Sequence, residues 1–255
     1  MVSKVKLIHR KVTEQSKVIA LVLKVRAIFF DLGGTLLKLR RDRIFQIILE
    51  DQRIDVPLRP IHDAYYLADA WWEDVYGSKV LSGEEEEKAF RELDLFVLQK
   101  LGLAIDRVKA ELLATMVHKR WFEVERTIQQ ELYQDVQPYL HNLRSRGFIL
   151  GLISNASPET KEIISKVGLD DYMDHIVISG IVGVAKPHPA IFQHAVSLTS
   201  AIPDECLHVG NSYKADVLGA RRAGLRAVLI DRDGRYPEAD CPRIRRLDEL
   251  DSFLT

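Results

Sequence analysis

Two hydrophobic periodicities alternate along the chain. Val25 to Phe30 is a short apolar run, rich in β-branched and aromatic residues, that stops at Asp31 and a glycine pair. This pattern predicts a buried strand entering a loop. From Arg40 to about Glu131 the apolar positions recur at i, i+3 and i+4, in "RIFQIILE", "AYYLADAWW", "AFRELDLFVLQKL" and "ELLATMVHKRWF", so that whole stretch reads as helix. After Tyr133 the pattern switches repeatedly. Helices are predicted in "VQPYLHNLRSRG", "PETKEIISKVG", "HPAIFQHAVSLT" and "KADVLGARRAG", and strands in "FILGLIS", "HIVIS", "CLHVG" and "AVLID". Strands alternating with helices imply a parallel sheet covered on both faces. The expected fold is therefore α/β, a doubly wound parallel sheet whose first strand is separated from the rest by an all-helical insertion.

The resulting division is a basic N-terminal extension (1–24), a first core segment with the strand and loop of Asp31 (25–40), a helical insertion (41–131) and the rest of the core (132–255). The extension carries Lys4, Lys6, Arg10, Lys11, Lys17 and Lys24 against Glu14 alone, but its apolar "VIALVL" is too short to span a bilayer. It reads as a solvated arm. Charge changes the picture little: 36 basic and 37 acidic residues leave a formal net charge of -1, so no global field points to nucleic acid or an anionic membrane. Two cysteines, Cys206 and Cys241, have no metal-like spacing and suggest a reducing, cytoplasmic setting. Nothing in the pattern sets an oligomeric state.

In an open α/β sheet, ligands bind outside the carboxyl ends of the strands. Polar residues gather at four such ends: Asp31, Ser154 with Asn155, Lys186, and Asn211 through Asp216. A lone aspartate after a strand is ordinarily a turn or cap residue. Its company points elsewhere. A carboxylate to attack, a hydroxyl and an ammonium to hold phosphoryl oxygens, and a further carboxylate for a hard cation make a phosphoryl-transfer set.

With these residues in view the chain resembles the haloacid dehalogenase-like hydrolase superfamily, in its branch with a helical cap between the first and second motifs. The resemblance rests on "IFFDLGGTL", on Ser154 ending a strand, on Lys186 and on "GNSYKAD", in that order, with the helical stretch in the matching gap. It implies a Mg²⁺-dependent hydrolase acting on a small phosphorylated molecule, a phosphate monoester cleaved through an aspartyl-phosphate. Asp31 would be the nucleophile, and Ser154, Asn155 and Lys186 would hold the phosphoryl group. Asp31, the Gly33 carbonyl, Asn211 and Asp216 would hold Mg²⁺. Two departures stand out: Gly33 replaces the aspartate that usually serves as general acid and base, and Asn211 replaces the aspartate that usually opens the fourth motif. A positioned acid and base contributes about 10²–10⁴ in rate. The alternatives are a catalytically weak binding or regulatory protein of the same fold, and a 2-haloacid dehalogenase-type hydrolase.

Other features have plainer readings. Tyr65, Tyr66, Trp71 and Trp72 at helical spacing suggest the core of the insertion. Ser82 with Glu85 suits a capping box. His62, His118 and His188 are candidates for the missing acid or base, with His188 placed at a helix start.

Overall fold

The computed structural model describes residues 24–254 except 39, 78, 82 and 128–130, without the side chains of 122–127. The basic arm and the Ser82 cap therefore lie outside the described residues. Six parallel strands form one sheet in the order β3-β2-β1-β4-β5-β6, with β1 Ala27–Phe30, β2 Ile149–Ser154, β3 His175–Ile178, β4 Cys206–Gly210, β5 Arg226–Ile230 and β6 Arg243–Ile244. β1 is buried along its whole length because both faces are covered, which is why its sequence is apolar without alternation. One face packs beneath α5 (Val136–Ser145) and the other beneath α8 (Pro189–Ser197), each over its own apolar cluster. Between these lie α6 (Thr160–Lys166) and α7 (Ser179–Val182). After β4 a wide turn of helix, Tyr213–Leu218, runs into α9 (Gly219–Arg222).

The insertion is helical as expected: α1 Arg41–Asp51, α2 Leu58–Val75, α3 Gly83–Leu101 and α4 Arg107–Thr127. These helices share a separate cluster that includes Phe45, Leu49, Ile61, Tyr65, Val97 and Leu113. Tyr65 meets Phe45 edge to face, Trp71 stacks on Phe96 and Trp72 stacks on Phe90, so Tyr65 and the partly buried tryptophans pack into the insertion's cluster, whereas Tyr66 faces Tyr236 outside it. At the junction the two connecting strands run side by side. Lys38 N donates to Glu131 O (2.9 Å) and Tyr133 N to Leu36 O (3.0 Å), with a bridge between Leu37 and Leu132. The structure adds β6 and a C-terminal turn of helix over Leu247–Phe253, which the periodicity does not show.

Candidate active site

β1 lies between β2 and β4, where the strand order reverses, and Asp31 is the first residue beyond it. Asp31 N still donates to Val209 O on β4 (2.9 Å), and the chain then closes on itself as Leu36 N and Leu37 N donate to Leu32 O (2.9 and 2.8 Å). Gly34 turns this loop with φ +78°, a conformation costly for other residues. Thr35 Oγ1 donates to Asp31 Oδ2 (3.1 Å).

Lys186 joins the two acids. Its buried Nζ donates to Asp31 Oδ1 (2.6 Å) and to Asp216 Oδ1 (2.7 Å). Asp216 also receives Ser212 N on Oδ2 (3.0 Å) and His208 Nε2 on Oδ1 (2.9 Å), so the His208 ring carries its proton on Nε2. Gly210 makes room for this carboxylate, since a Cβ there would lie 2.2 Å from Asp216 Cγ. Burial opposes all these charges, and the groups respond differently. Burial lowers Lys186, but Asp216 and Asp31 more than reverse it and hold the ammonium above its ordinary range. Burial raises Asp216, and Lys186 and His208 overturn that to hold it well below the usual carboxylate range. For Asp31, burial outweighs Lys186 and its carboxyl is raised.

The residues expected from the sequence fall into place unevenly. Asp31, Lys186 and Asp216 are in direct contact. Ser154 is buried at the end of β2, two residues beyond the partner of Phe30. Asn155 supports rather than presents: its Nδ2 donates to Lys186 O (2.8 Å) and its Oδ1 accepts from Lys186 N (2.8 Å). Both polar ends of that carboxamide are taken by the lysine's backbone, so the Asn155 side chain positions Lys186. His188 caps α8, its Nδ1 accepting from Ala190 N (3.2 Å). His62 faces Asp42 (2.9 Å) and Asp233 (3.4 Å), and His118 packs near Phe90. Thr35 and Ser212, which lie inside the expected loops, and His208, which lies inside a strand, also bond to the Asp31 and Asp216 carboxylates. A histidine within the apolar run "CLHVG" was the available signal for His208.

The helical insertion reaches this edge of the sheet through α2. The Glu73 carboxylate accepts from Ser212 Oγ, and Asp74 pairs with Lys214. Tyr66 OH donates to Arg235 O (3.2 Å), and the Arg235 guanidinium lies 4.8 Å over the Tyr66 ring. Burial raises Glu73. Asp69, one turn earlier, is pushed up to about 7 by burial, with Arg235 opposing and Glu73 reinforcing. A separate depression of about 400 Å³, lined by Phe148, Asp174, His175 and Ser200 among others, sits at the other ends of β2 and β3 and holds none of the clustered acids.

Whether these residues suit a hard cation is tested by their oxygens. The terminal atom of Asn211 nearest Asp31 is 2.9 Å from Gly33 O and 3.2 Å from Asp31 Oδ2. A Mg²⁺ bound at about 2.1 Å has neighbouring ligand oxygens about 3 Å apart. With Asn211 Oδ1 in that position, Asp31, the Gly33 carbonyl and Asn211 therefore present a set that fits. Asp216 is occupied by three protein donors and stands behind Lys186.

Residues 25–224 match the model of haloacid dehalogenase-like hydrolases, and the chain belongs to that family. It has the family's α/β fold. It is 34% identical over 176 residues to the phosphoserine phosphatase of Thermus thermophilus, covering 68% of this chain and 66% of that one. It is 35% identical over 102 residues to the glyceraldehyde 3-phosphate phosphatase of Pyrococcus furiosus, covering 40% and 42%. The chain thus spans just under two thirds of the first relative and less than half of the second. The magnesium-bound Bacillus subtilis YfnB, named as a HAD-hydrolase, superposes with a TM-score of 0.67 at 21% identity over 91% of this chain and 99% of that one, a likeness of fold. Among the described residues no helix is long and apolar enough to cross a membrane.

Proposed function

We propose that the protein is a Mg²⁺-dependent phosphatase acting on a small phosphate monoester through an aspartyl-phosphate on Asp31, with residues 41–131 serving as a cap. The observation that carries this reading is Lys186 Nζ held between Asp31 and Asp216 at the switch point of the sheet. The names of the two phosphatase relatives support it. In this reading Asp31, Gly33 O and Asn211 hold the cation, which when bound offsets repulsion between the carboxylate and an anionic substrate. An Asp31 oxygen attacks phosphorus, the bond to the leaving oxygen breaks, and water then releases phosphate from the acyl phosphate. Lys186, fixed by Asn155 and charged by its two acids, neutralises the phosphoryl oxygens. Ser154 at the adjacent strand end supplies a hydroxyl to them.

Gly33 has no side chain to protonate the leaving oxygen. Substrates whose leaving groups need little help, such as acyl, aryl or anomeric sugar phosphates, are therefore favoured over simple alkyl phosphates. The test is phosphate release across a metabolite panel, with and without Mg²⁺, beside Asp31→Asn. The expected result is Mg²⁺-dependent release that the variant loses. Full activity in chelator would overturn the cation. Halide release from 2-haloacids without phosphate release would make the protein a dehalogenase, and no turnover in either assay would make it a binding protein.

A further inference from the structure

The Asn211 carboxamide raises a problem of its own. With Oδ1 toward Asp31, it faces the Gly33 carbonyl at 2.9 Å and the Asp31 carboxylate at 3.2 Å, three acceptor oxygens served by the single proton of the Thr35 hydroxyl, which lies 3.1 Å from Asp31 Oδ2 and 3.3 Å from Asn211 Oδ1. One shared proton leaves the Gly33 carbonyl unserved, and a cation at this point would satisfy all three. Turned by half a rotation, the same position holds Nδ2, which donates to Gly33 O (2.9 Å), Asp31 Oδ2 (3.2 Å) and Thr35 Oγ1 (3.3 Å). The two orientations have nearly the same shape, so no neighbour has to move. The far end of the amide rests against Gly34, where a Cβ would come within 2.5 Å of it. That far end faces only donors, which suits Oδ1 in the turned orientation, so a cation has to hold the amide in the other one.

We propose that Asn211 is a two-position element for the nucleophile: Nδ2 toward Asp31 replaces the cation when none is bound, and Oδ1 toward Asp31 completes the cation's oxygen set. This rests on the reading of a divalent cation at Asp31 and goes further, since it gives Asn211 a role in the cation-free protein. An aspartate at 211 has no such choice. It would hold a second carboxylate against Asp31, with Asp216 behind, and only a cation would relieve the contact. Asparagine therefore exchanges cation affinity for an ordered nucleophile in the cation-free state.

The experiment joins two readouts that do not depend on turnover. In the wild-type protein the Asn211 side-chain amide, assigned by its loss from the ¹⁵N spectrum of Asn211→Asp, is expected to exchange slowly with water in chelator and to shift and exchange faster as Mg²⁺ is added. By calorimetry Asn211→Asp is expected to bind Mg²⁺ at least about tenfold more tightly, because the added charge raises cation affinity. Its melting temperature in chelator is expected to lie below that of the wild type and to rise more with Mg²⁺. Mg²⁺ binding with an unmoved Asn211 amide, or equal affinities in the two proteins, overturns the two-position element and leaves the cation reading standing. Absence of Mg²⁺ binding to the wild type overturns both. Should Asn211→Asp fail to fold in chelator, the wild-type amide spectrum still decides, with Asn211→Ala providing the assignment.

Discussion

His208 is fully buried, and among the described residues its Nδ1 has no hydrogen-bond partner, so its contribution runs through Nε2 to Asp216. A hydrogen bond to a charged group contributes about 1.5–3 kcal/mol, and that matters here because Asp216 fixes Lys186. His208→Phe keeps a ring beside Phe192, 5.1 Å away in the native protein, and removes the donor. It is expected to lower kcat about ten- to a hundredfold with a smaller change in KM, measured by steady-state kinetics on the best substrate of the panel. An unchanged kcat would mean that Lys186 and Ser212 alone hold the carboxylate. The same residue shows how far the sequence could be read. Asp31, Lys186 and Asp216 each follow a predicted strand, so strand alternation alone brought them to one edge of the sheet. His208 lies inside a strand, where a histidine reads as core, and only the folded loop returns Asp216 to it. Asn155 was legible as a neighbour of the site, but its use as a clamp on Lys186 depends on a backbone path that periodicity does not reveal.

Helix α2 is where the insertion meets the site, and its two faces were not equally legible. Ile61, Ala64, Tyr65 and Ala68 form the buried stripe that the helical period predicts. Asp69 and Glu73, one turn apart on another face, look in sequence like a solvated surface. Their surroundings give Asp69 a measurable signature. Its carboxyl is raised to about 7 in the fold, first by burial, whereas the unfolded chain releases that proton near 3.8. Between those values the folded protein binds more protons than the unfolded one, so the contribution of Asp69 to stability falls as pH rises through the window and is level above it. Asp69 is nonetheless exposed by its accessible surface, so solvent screens its charge and the slope is shallow. Asp69→Asn is expected to flatten the fall in melting temperature between pH 4 and 7.5 in scanning calorimetry. Equal slopes in both proteins would assign the fall to other acids. The two-residue β6 is illegible for a different reason: it is too short to display a period.

Across the whole molecule, Arg232 ties together segments from both ends of the fold. It donates to Thr35 O (2.7 and 3.2 Å) in the loop that follows Asp31 and to both oxygens of Asp135 (3.1 and 3.2 Å) ahead of α5, with its guanidinium 3.7 Å over the Tyr133 ring. Asp135 also accepts from Leu247 N (2.8 Å). Removing one partner of a buried pair leaves the other uncompensated, and Arg232→Ala is expected to cost about 3 kcal/mol, the low end of such cases because Leu247 remains. Urea unfolding should show a lower midpoint with an unchanged slope, and a loss under about 0.5 kcal/mol would make the clamp dispensable. The central place of β1 in the sheet has one more consequence, for synthesis. Asp31 bonds to Lys186, 155 residues away, and Thr35 reaches Asn211, 176 residues away. At roughly 5–20 residues per second, a ribosome makes the Asp31 loop about 9 to 35 s before the Asn211 loop that packs on it. Through that interval the nascent chain carries an apolar strand with at least one open edge, a natural client for chaperones that bind unpaired strands.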